Sequence, residues 1–257
     1  MKNVLRRILP SRIRSKIREI LITASEEPLT VVQGWDKYAQ NYVSEEGKHL
    51  GDEWNEPEAI GFDVPADRIV SYLDEKVFAP FLGSCEVLLE IGPGGGRFTE
   101  ILLPKCNKLI AADTSPAMLR LLRDRFLRNP KIEYLLLNGG GLSPIPDNSV
   151  DSAFSYGVFV HLQHWDIFNY LSELKRVLKP DGRAIIQHAN SFSELGWKQF
   201  LREIPASLNK HKLPGTFTLM IPEIMKEFAQ RAGLKLHDCL TNVVQRDCIS
   251  LIRSRDK

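Results

Sequence analysis

The fold of this chain is decided by residues 87–98, which read Val-Leu-Leu-Glu-Ile-Gly-Pro-Gly-Gly-Gly-Arg-Phe. The apolar run predicts a strand that is covered on both faces. The glycines that follow predict a sharp turn that lets a ligand approach the backbone closely. A helix from about Arg97 would then point free N–H groups and a positive dipole end at that ligand. The stretch therefore predicts a nucleotide-type site at the end of a buried strand.

Composition limits the classes of protein to consider. The chain has 257 residues, a formal net charge of +2 and 43% hydrophobic residues, so it can bury a sizeable core, and its bulk charge does not suggest nucleic acid. No apolar run is long enough to span a bilayer. The cysteines, Cys85, Cys106, Cys239 and Cys248, are scattered without metal-ligand spacing. We therefore expect reduced thiols, a cytoplasmic location and no metal.

From residue 86 onward, strand and helix patterns alternate. Strands are predicted at 87–91, 108–113, 132–137, 150–156 and 183–188, and helices at 116–128, 165–178 and 222–232. Two β-rich runs, 234–244 and 247–253, are close enough to form an antiparallel pair at the sheet edge. The pattern predicts an α/β fold: a Rossmann-like, seven-stranded sheet, mostly parallel with an antiparallel C-terminal strand, and helices on both faces.

The first residues form a separate segment. Residues 1–30 are predicted to be a basic amphipathic extension, and residues 31–257 one domain with a lid at 35–60 and an inserted cap at 189–217. Apolar side chains at 13, 17, 20 and 21 would share one helix face, with arginines opposite. Such a helix in residues 1–22 favours peripheral association with an anionic membrane, at its inner face. The alternative is a helix packed on the domain or on a second subunit; the oligomeric state is left open.

The spacing of the glycines narrows the choice of nucleotide. A dinucleotide-binding turn needs a glycine at the sixth position for close helix packing, and that position holds Arg97. What stands here is Glu90-x-Gly92-x-Gly94-x-Gly96, an acid followed by alternating glycines. This pattern resembles motif I of the class I S-adenosylmethionine-dependent methyltransferases.

The resemblance continues in order along residues 85–190. Asp113 ends the second predicted strand, where the family places an acid on both ribose hydroxyls, and a carboxylate can accept two hydrogen bonds from a diol. Residues 144–151 look like the family's loop into strand four, and 173–182 like its helix and turn before strand five. The resemblance implies S-adenosylmethionine as cofactor, with these candidate binding residues: Glu90, Gly92, Gly94, Gly96, Asp113, Thr114, Met118, Asn138, Gly139 and Ser155.

One position departs from the family pattern. Methyltransferases of this class often carry an acid after strand three that contacts the adenine amino group, and residues 138–142 contain none. Asn138 or a backbone group would have to take over adenine recognition.

Methyl transfer from a sulfonium needs alignment, exclusion of water and sometimes removal of a proton from the acceptor. His161 follows strand four and His188 ends strand five, the edge at which ligands bind in such sheets, so both are candidate bases. We expect a small-molecule or glycan acceptor, with O-methylation favoured. Residues 188–190 and 196–197 also look like methyltransferases associated with bacterial surface-polysaccharide synthesis.

Three other functions stay open. A nicotinamide-dependent oxidoreductase would share the fold, but Arg97 disfavours it. A non-catalytic donor-binding module could act through the basic helix at the start of the chain. A nucleic-acid methyltransferase is disfavoured because the chain has no basic groove signature and no Asn/Asp-Pro-Pro-aromatic motif.

Overall fold

The computed structural model describes residues 31–42, 49–51, 61–62, 64–139, 141–208 and 215–254. The predicted extension at 1–30, most of the predicted lid beyond residue 42 and part of the predicted cap lie outside the described residues. None of the helices within the described part is long and apolar enough to cross a membrane.

The described elements alternate as the sequence predicts. The strands are β1 Cys85–Ile91, β2 Cys106–Asp113, β3 Ile132–Leu136, β4 Val150–Ser155, β5 Leu178–Ala189, β6 Leu234–Leu240 and β7 Asp247–Ser254. The α-helices are α1 Val31–Gln40, α2 Ile69–Leu73, α3 Ala79–Leu82, α4 Thr99–Leu102, α5 Pro116–Arg125, α6 His164–Val177, α7 Glu194–Leu208 and α8 Pro222–Arg231. A π-helical turn, Asp74–Phe78, joins α2 to α3.

The strands form one seven-stranded sheet in the order β3-β2-β1-β4-β5-β7-β6. Strands β1 to β5 pair in parallel, whereas β7 pairs antiparallel with both β5 and β6. The predicted fold class is therefore confirmed, including the antiparallel C-terminal strand. The pair of C-terminal runs lies at the sheet edge as predicted, with β6 outermost and β7 inserted between β5 and β6.

Alternation along the strands divides the core between the two faces. Leu89 packs with α6 and α8 side chains on one face, and its neighbour Leu88 packs with the residues of α2 to α4 on the other. Both leucines have no solvent exposure. A smaller cluster joins α1, Leu50 and α5 beyond the carboxyl ends of the strands. The sheet is therefore covered on both faces while its carboxyl edge is left to the loops.

Two local details differ from the predictions. The helix expected from about Arg97 begins at Thr99 and runs only to Leu102, where a 3₁₀ turn that contains Pro104 follows it. The turn expected at 179–182 is an irregularity inside β5, where Asp181 adopts a φ of 61°. Within the predicted cap at 189–217, the described residues include α7, despite Gly196 and Pro205.

Candidate active site

Gly92, Gly94 and Gly96, the glycines predicted to bind the cofactor, have different surroundings in the loop after β1. Gly92 has a φ of 69°, and a Cβ there would lie 2.2 Å from Cγ2 of Val158. A Cβ on Gly96 would lie 2.6 Å from Leu122 on α5. Gly94 has a φ of 54°, but a Cβ there would meet nothing within 4 Å. Two glycines therefore allow close packing, and the third borders open space that a ligand can approach.

Glu90 connects the two ends of this loop through a buried hydrogen bond. Its side chain is only 2% exposed, and its Oε2 accepts a 2.7 Å hydrogen bond from the hydroxyl of Thr99 at the start of α4. Burial raises the pKa of Glu90 to about 8, although the Thr99 bond partly opposes this. The carboxyl is therefore largely protonated at neutral pH, and in this structure it links β1 to α4.

Asp113 lies at the end of β2, against the glycine loop. Its Oδ1 accepts a 2.8 Å hydrogen bond from the backbone N–H of Ser115. Burial raises the pKa of Asp113 to about 6, while backbone hydrogen bonds from Ser115, Gly94 and Thr114 oppose that rise. A half-buried carboxylate beside Gly94 and its open space fits the ribose of a nucleoside: the acid can accept two hydroxyl hydrogens, and the glycine permits close approach.

The remaining predicted cofactor residues lie at the same edge but differ in exposure. Met118 is buried beneath α1, whereas Thr114 is half-buried and Asn138 is exposed. Gly139 is also exposed, and a Cβ there would lie 3.9 Å from Val32 of α1. Ser155 has no exposure, and its hydroxyl donates to the carbonyl of Ile91 at 3.0 Å, which ties β4 to β1 beneath the loop.

His161 is held on three sides at the carboxyl end of β4. Its ring lies 5.3 Å from that of Trp35 and 5.1 Å from that of Phe217, measured between centroids. Its Nδ1 lies 3.2 Å from the carbonyl oxygen of Thr216. Because a carbonyl only accepts, Nδ1 carries the hydrogen, and Nε2 is the basic nitrogen of the neutral ring.

His188 occupies a different environment. It has no solvent exposure, its Nδ1 lies 2.9 Å from the carbonyl oxygen of Ala189, and its Nε2 lies 2.9 Å from Oγ of Ser250. The two histidines that the sequence analysis grouped as candidate bases are thus separated by the structure. His161 lies among the segments at the carboxyl edge, and His188 lies inside the sheet between β5 and β7.

The sequence analysis missed Asp36 of α1. Its Oδ1 accepts hydrogen bonds from the Ser115 hydroxyl at 2.8 Å and from the Ala117 N–H at 2.9 Å. Burial opposes ionisation of Asp36, but the bonds from Ala117 and Ser115 outweigh it and lower its pKa. An acid on a helix surface has no local sequence signature, so nothing in residues 31–40 could have identified this contact.

A polar network at the carboxyl ends of β4 and β5 was also missed. The side chain of Gln187 accepts from the N–H of Gly157 at 2.8 Å and donates to Asp247 at 2.7 Å. Asp247 also pairs with Arg246 at 2.6 Å. The Tyr156 hydroxyl is buried nearby without a hydrogen-bond partner, and burial raises its pKa. Only the positions of Tyr156 and Gln187 at strand ends could have indicated this network.

Comparisons with known proteins agree with this site. Residues 89–186 match the family model described as "Methyltransferase domain". A demethylmenaquinone methyltransferase from Tropheryma whipplei is 31% identical over 128 residues, which are 49% of this chain and 52% of that protein. A probable ribosomal RNA small subunit methyltransferase A from Methanosarcina barkeri is 45% identical over 64 residues, 25% of this chain and 22% of that protein. This chain thus spans about half of the first relative and about a fifth of the second.

The fold also matches a solved structure. The crystal structure of a SAM-dependent methyltransferase from Aquifex aeolicus superposes with a TM-score of 0.55 and 22% identity, over 73% of this chain and 92% of that one. The matched sequence, residues 89–186, contains the glycine loop, Asp113 and the end of β4, the parts that build the site. Residues 89–186 therefore resemble a methyltransferase domain, and the chain has the fold of an S-adenosylmethionine-dependent methyltransferase.

Proposed function

We propose that this chain transfers a methyl group from S-adenosylmethionine to an oxygen of a small-molecule or glycan acceptor. The observation that carries the proposal is the position of His161, which lies at the carboxyl edge with its ring held by Trp35 and Phe217. The cofactor supplies an electrophilic methyl group. The chain must hold it, align the acceptor, exclude water and accept a proton.

The binding residues have distinct parts in this proposal. Asp113 would accept the ribose hydroxyls, Gly94 would allow close approach, and Glu90 would hold the loop through Thr99. Asn138 and Gly139, exposed after β3, would take the place of the family's adenine-binding acid. Met118 would contribute apolar contacts at the bottom of the cofactor site.

His161 would act as the base. The Thr216 carbonyl oxygen accepts from Nδ1, so Nδ1 carries the hydrogen and Nε2 is the basic nitrogen of the ring, the atom that would accept the acceptor's proton. His188 was an equal candidate by sequence position. Its complete burial and its contacts with Ala189 and Ser250 make His161 the better choice.

The enclosure of the edge favours a small acceptor over a nucleic acid. Helix α1 contacts α5 through Asp36, so it covers the carboxyl edge from one side. One relative is named for demethylmenaquinone and the other for ribosomal RNA, so the names alone favour neither class. The net charge of +2 gives little attraction for a polyanion.

Calorimetry with S-adenosylmethionine is the first experiment. We expect the full chain to bind it, Asp113→Ala to weaken binding sharply, and His161→Ala to retain binding but lose turnover. His237→Ala is the matched control, because this exposed histidine lies on the edge strand β6. No binding by the wild-type chain would overturn the proposal. Binding without methyl transfer to any fraction of a cell extract would favour the non-catalytic module, and nicotinamide binding would favour the oxidoreductase.

The acceptor class is tested with the labelled donor and extract separated into small molecules, glycans and RNA. Label in the small-molecule or glycan fraction supports the proposal, whereas label confined to RNA contradicts it. His161→Ala controls for transfer by contaminating enzymes.

We further propose that residues 1–22 associate peripherally with anionic membranes at the cytoplasmic face. The sequence of this stretch supports the proposal, because it is rich in arginine and lysine and its apolar residues are spaced as they would be on one face of a helix. Cosedimentation with phosphatidylserine vesicles should be lost on replacing Arg12, Arg14 and Arg18 by glutamine. Equal sedimentation with neutral vesicles would contradict the electrostatic part.

A further inference from the structure

Three side chains with metal-binding chemistry converge on one face of the antiparallel part of the sheet. The imidazole of His188 and the thiols of Cys239 and Cys248 each place a ligand atom within 4.8 Å of the other two. They come from three adjacent strands, β5, β6 and β7. The sequence analysis predicted no metal, because residues 188, 239 and 248 have no ligand spacing along the chain.

The strand register explains why they share a face. His188 lies directly opposite Cys248, and Cys239 lies directly opposite Ser250. Cys248 and Ser250 are two apart on β7, so they point to the same side of the sheet. Helix α8 packs over this side through Met225 and Ala229. The cluster is thus enclosed between the sheet and a helix.

The imidazole is already oriented as a metal ligand would be. The Ala189 carbonyl oxygen, 2.9 Å from Nδ1, can only accept, so Nδ1 carries the hydrogen and the lone pair of Nε2 accepts from the Ser250 hydroxyl at 2.9 Å, a bond that a metal ion would replace. Metal-bound histidines usually donate their other N–H to a carbonyl or carboxylate in this way.

We propose that His188, Cys239 and Cys248 bind a divalent cation of the zinc class and clamp β5, β7 and β6 together, with a water beside the Ser250 hydroxyl in the fourth position. Two thiolates, one imidazole and an open position are a familiar zinc ligand set. Two thiolates also neutralise the charge of the ion, which lowers the cost of burying it.

The distances favour a bridging ion over a disulfide. In a tetrahedral zinc site two sulfurs lie about 3.8 Å apart, given zinc–sulfur bonds of about 2.3 Å. The present limit of 4.8 Å between ligand atoms is within a small side-chain adjustment of that value. Cys239 and Cys248 are diagonal neighbours, and diagonal pairs are about 7–8 Å apart at Cα, longer than most disulfides span.

One of the three ligands is partly exposed. His188 and Cys248 have no exposure, whereas Cys239 is partly exposed at the edge strand. We therefore expect an ion to enter from the side of Cys239.

Cobalt binding to the full, reduced, metal-free chain is the direct test. We expect roughly one ion per chain with thiolate-to-cobalt charge-transfer bands, displaced by zinc. Cys239→Ser and Cys248→Ser should each remove most of this absorbance, while Cys85→Ser, outside the cluster, should keep it. Absence of charge-transfer bands in the wild-type chain would overturn the proposal.

A second measurement needs no substitution and so does not depend on whether the variants fold. Zinc should slow alkylation of Cys239 at least tenfold and leave alkylation of Cys85, also partly exposed, unchanged. Equal rates with and without zinc would contradict the site. Mass spectrometry of the purified chain tests for a disulfide. A mass lower by two hydrogens, with Cys239 and Cys248 in one cross-linked peptide, would show that a disulfide joins them and would also overturn the proposal.

Discussion

The carboxylate of Asp36 accepts a 2.8 Å hydrogen bond from the hydroxyl of Ser115, which itself caps α5 by accepting from the N–H of Met118. One acid on α1 therefore joins that helix to the first turn of the helix that follows β2. The negative charge also lies at the positive end of the α5 dipole. The contact couples α1, which covers the carboxyl edge, to the turn that follows Asp113.

Replacing Asp36 by Asn should loosen α1 without unfolding the sheet. The substitution removes the charge from both hydrogen bonds, and hydrogen bonds to charged groups are worth about 1.5–3 kcal/mol. We expect faster hydrogen exchange in residues 31–40, faster tryptic cleavage after Lys37 and faster release of S-adenosylmethionine. Asp124→Asn is the matched control, since Asp124 is exposed on α5. Unchanged exchange in α1 would show that Asp36 does not hold it.

Binding of S-adenosylmethionine should weaken in acid. The pKa of Asp113 in the ligand-free protein is raised to about 6, chiefly by burial, and only the carboxylate can accept both ribose hydroxyls. Affinity should be constant above that pKa and fall about tenfold per pH unit well below it. Calorimetry between about pH 5 and 8 measures this. Asp113→Asn should bind weakly at every pH, and an equally steep fall in that variant would assign the effect to another group.

Glu90 should make the protein less stable as pH rises. Burial raises its pKa from 4.5 to about 8, so the folded state holds the proton more tightly than the unfolded state. This contribution is fully present below the unfolded pKa and is lost as pH rises through the folded pKa. The substituted side chain of the Glu90→Gln variant cannot titrate. The free energy of unfolding of the wild type should therefore fall relative to that of the variant as pH rises from the unfolded pKa through the folded pKa of Glu90. Urea unfolding at successive pH values measures the difference.

Glu173 provides a control of opposite sign. Its hydrogen bonds with Arg176 lower its pKa, so its contribution is present above the unfolded pKa and is lost as pH falls through the folded one. Glu173→Gln should therefore change the pH profile only on the acidic side. A Glu90→Gln profile parallel to that of the wild type above pH 5 would contradict the buried, protonated carboxyl.

The loop glycines should respond differently to alanine. Gly92→Ala should lose several kcal/mol of stability, because its Cβ would overlap Val158. Gly94→Ala should cost only about 1–2 kcal/mol for its left-handed backbone, yet bind S-adenosylmethionine poorly, because the new methyl enters the open space. Thermal unfolding and calorimetry separate the two effects.

Gly233→Ala provides the reference for backbone strain alone. Gly233 has a φ of 81° and follows α8, and the atoms nearest to a Cβ there belong to the flexible side chain of Lys175, at 3.7 Å and beyond. It should lose stability as Gly94→Ala does and bind the cofactor normally. If Gly94→Ala also bound normally, the open space at Gly94 would not be where the cofactor lies.

The sheet was predictable because buried parallel strands are marked by continuous apolar runs and their ends by glycine and acidic residues. That signal located β1, the glycine loop and Asp113. Asp36 escaped it, since its partners are about eighty residues away in sequence. The cluster of His188 and Cys248 escaped it as well, because only the pairing of β5 with β7 brings them together. Local sequence patterns therefore predict where a strand lies, but they do not predict which residues of two strands lie opposite each other in the sheet.

The insertion of β7 between β5 and β6 has a consequence for the order of folding. Strand β6 has no backbone partner among the described strands other than β7, which follows it in sequence. Among the described strands, β5 therefore keeps an unpaired edge, and β6 stays unattached to the sheet, until β7 docks between them. A partly folded chain in which β7 is displaced would expose two unpaired strand edges, at which other chains can pair.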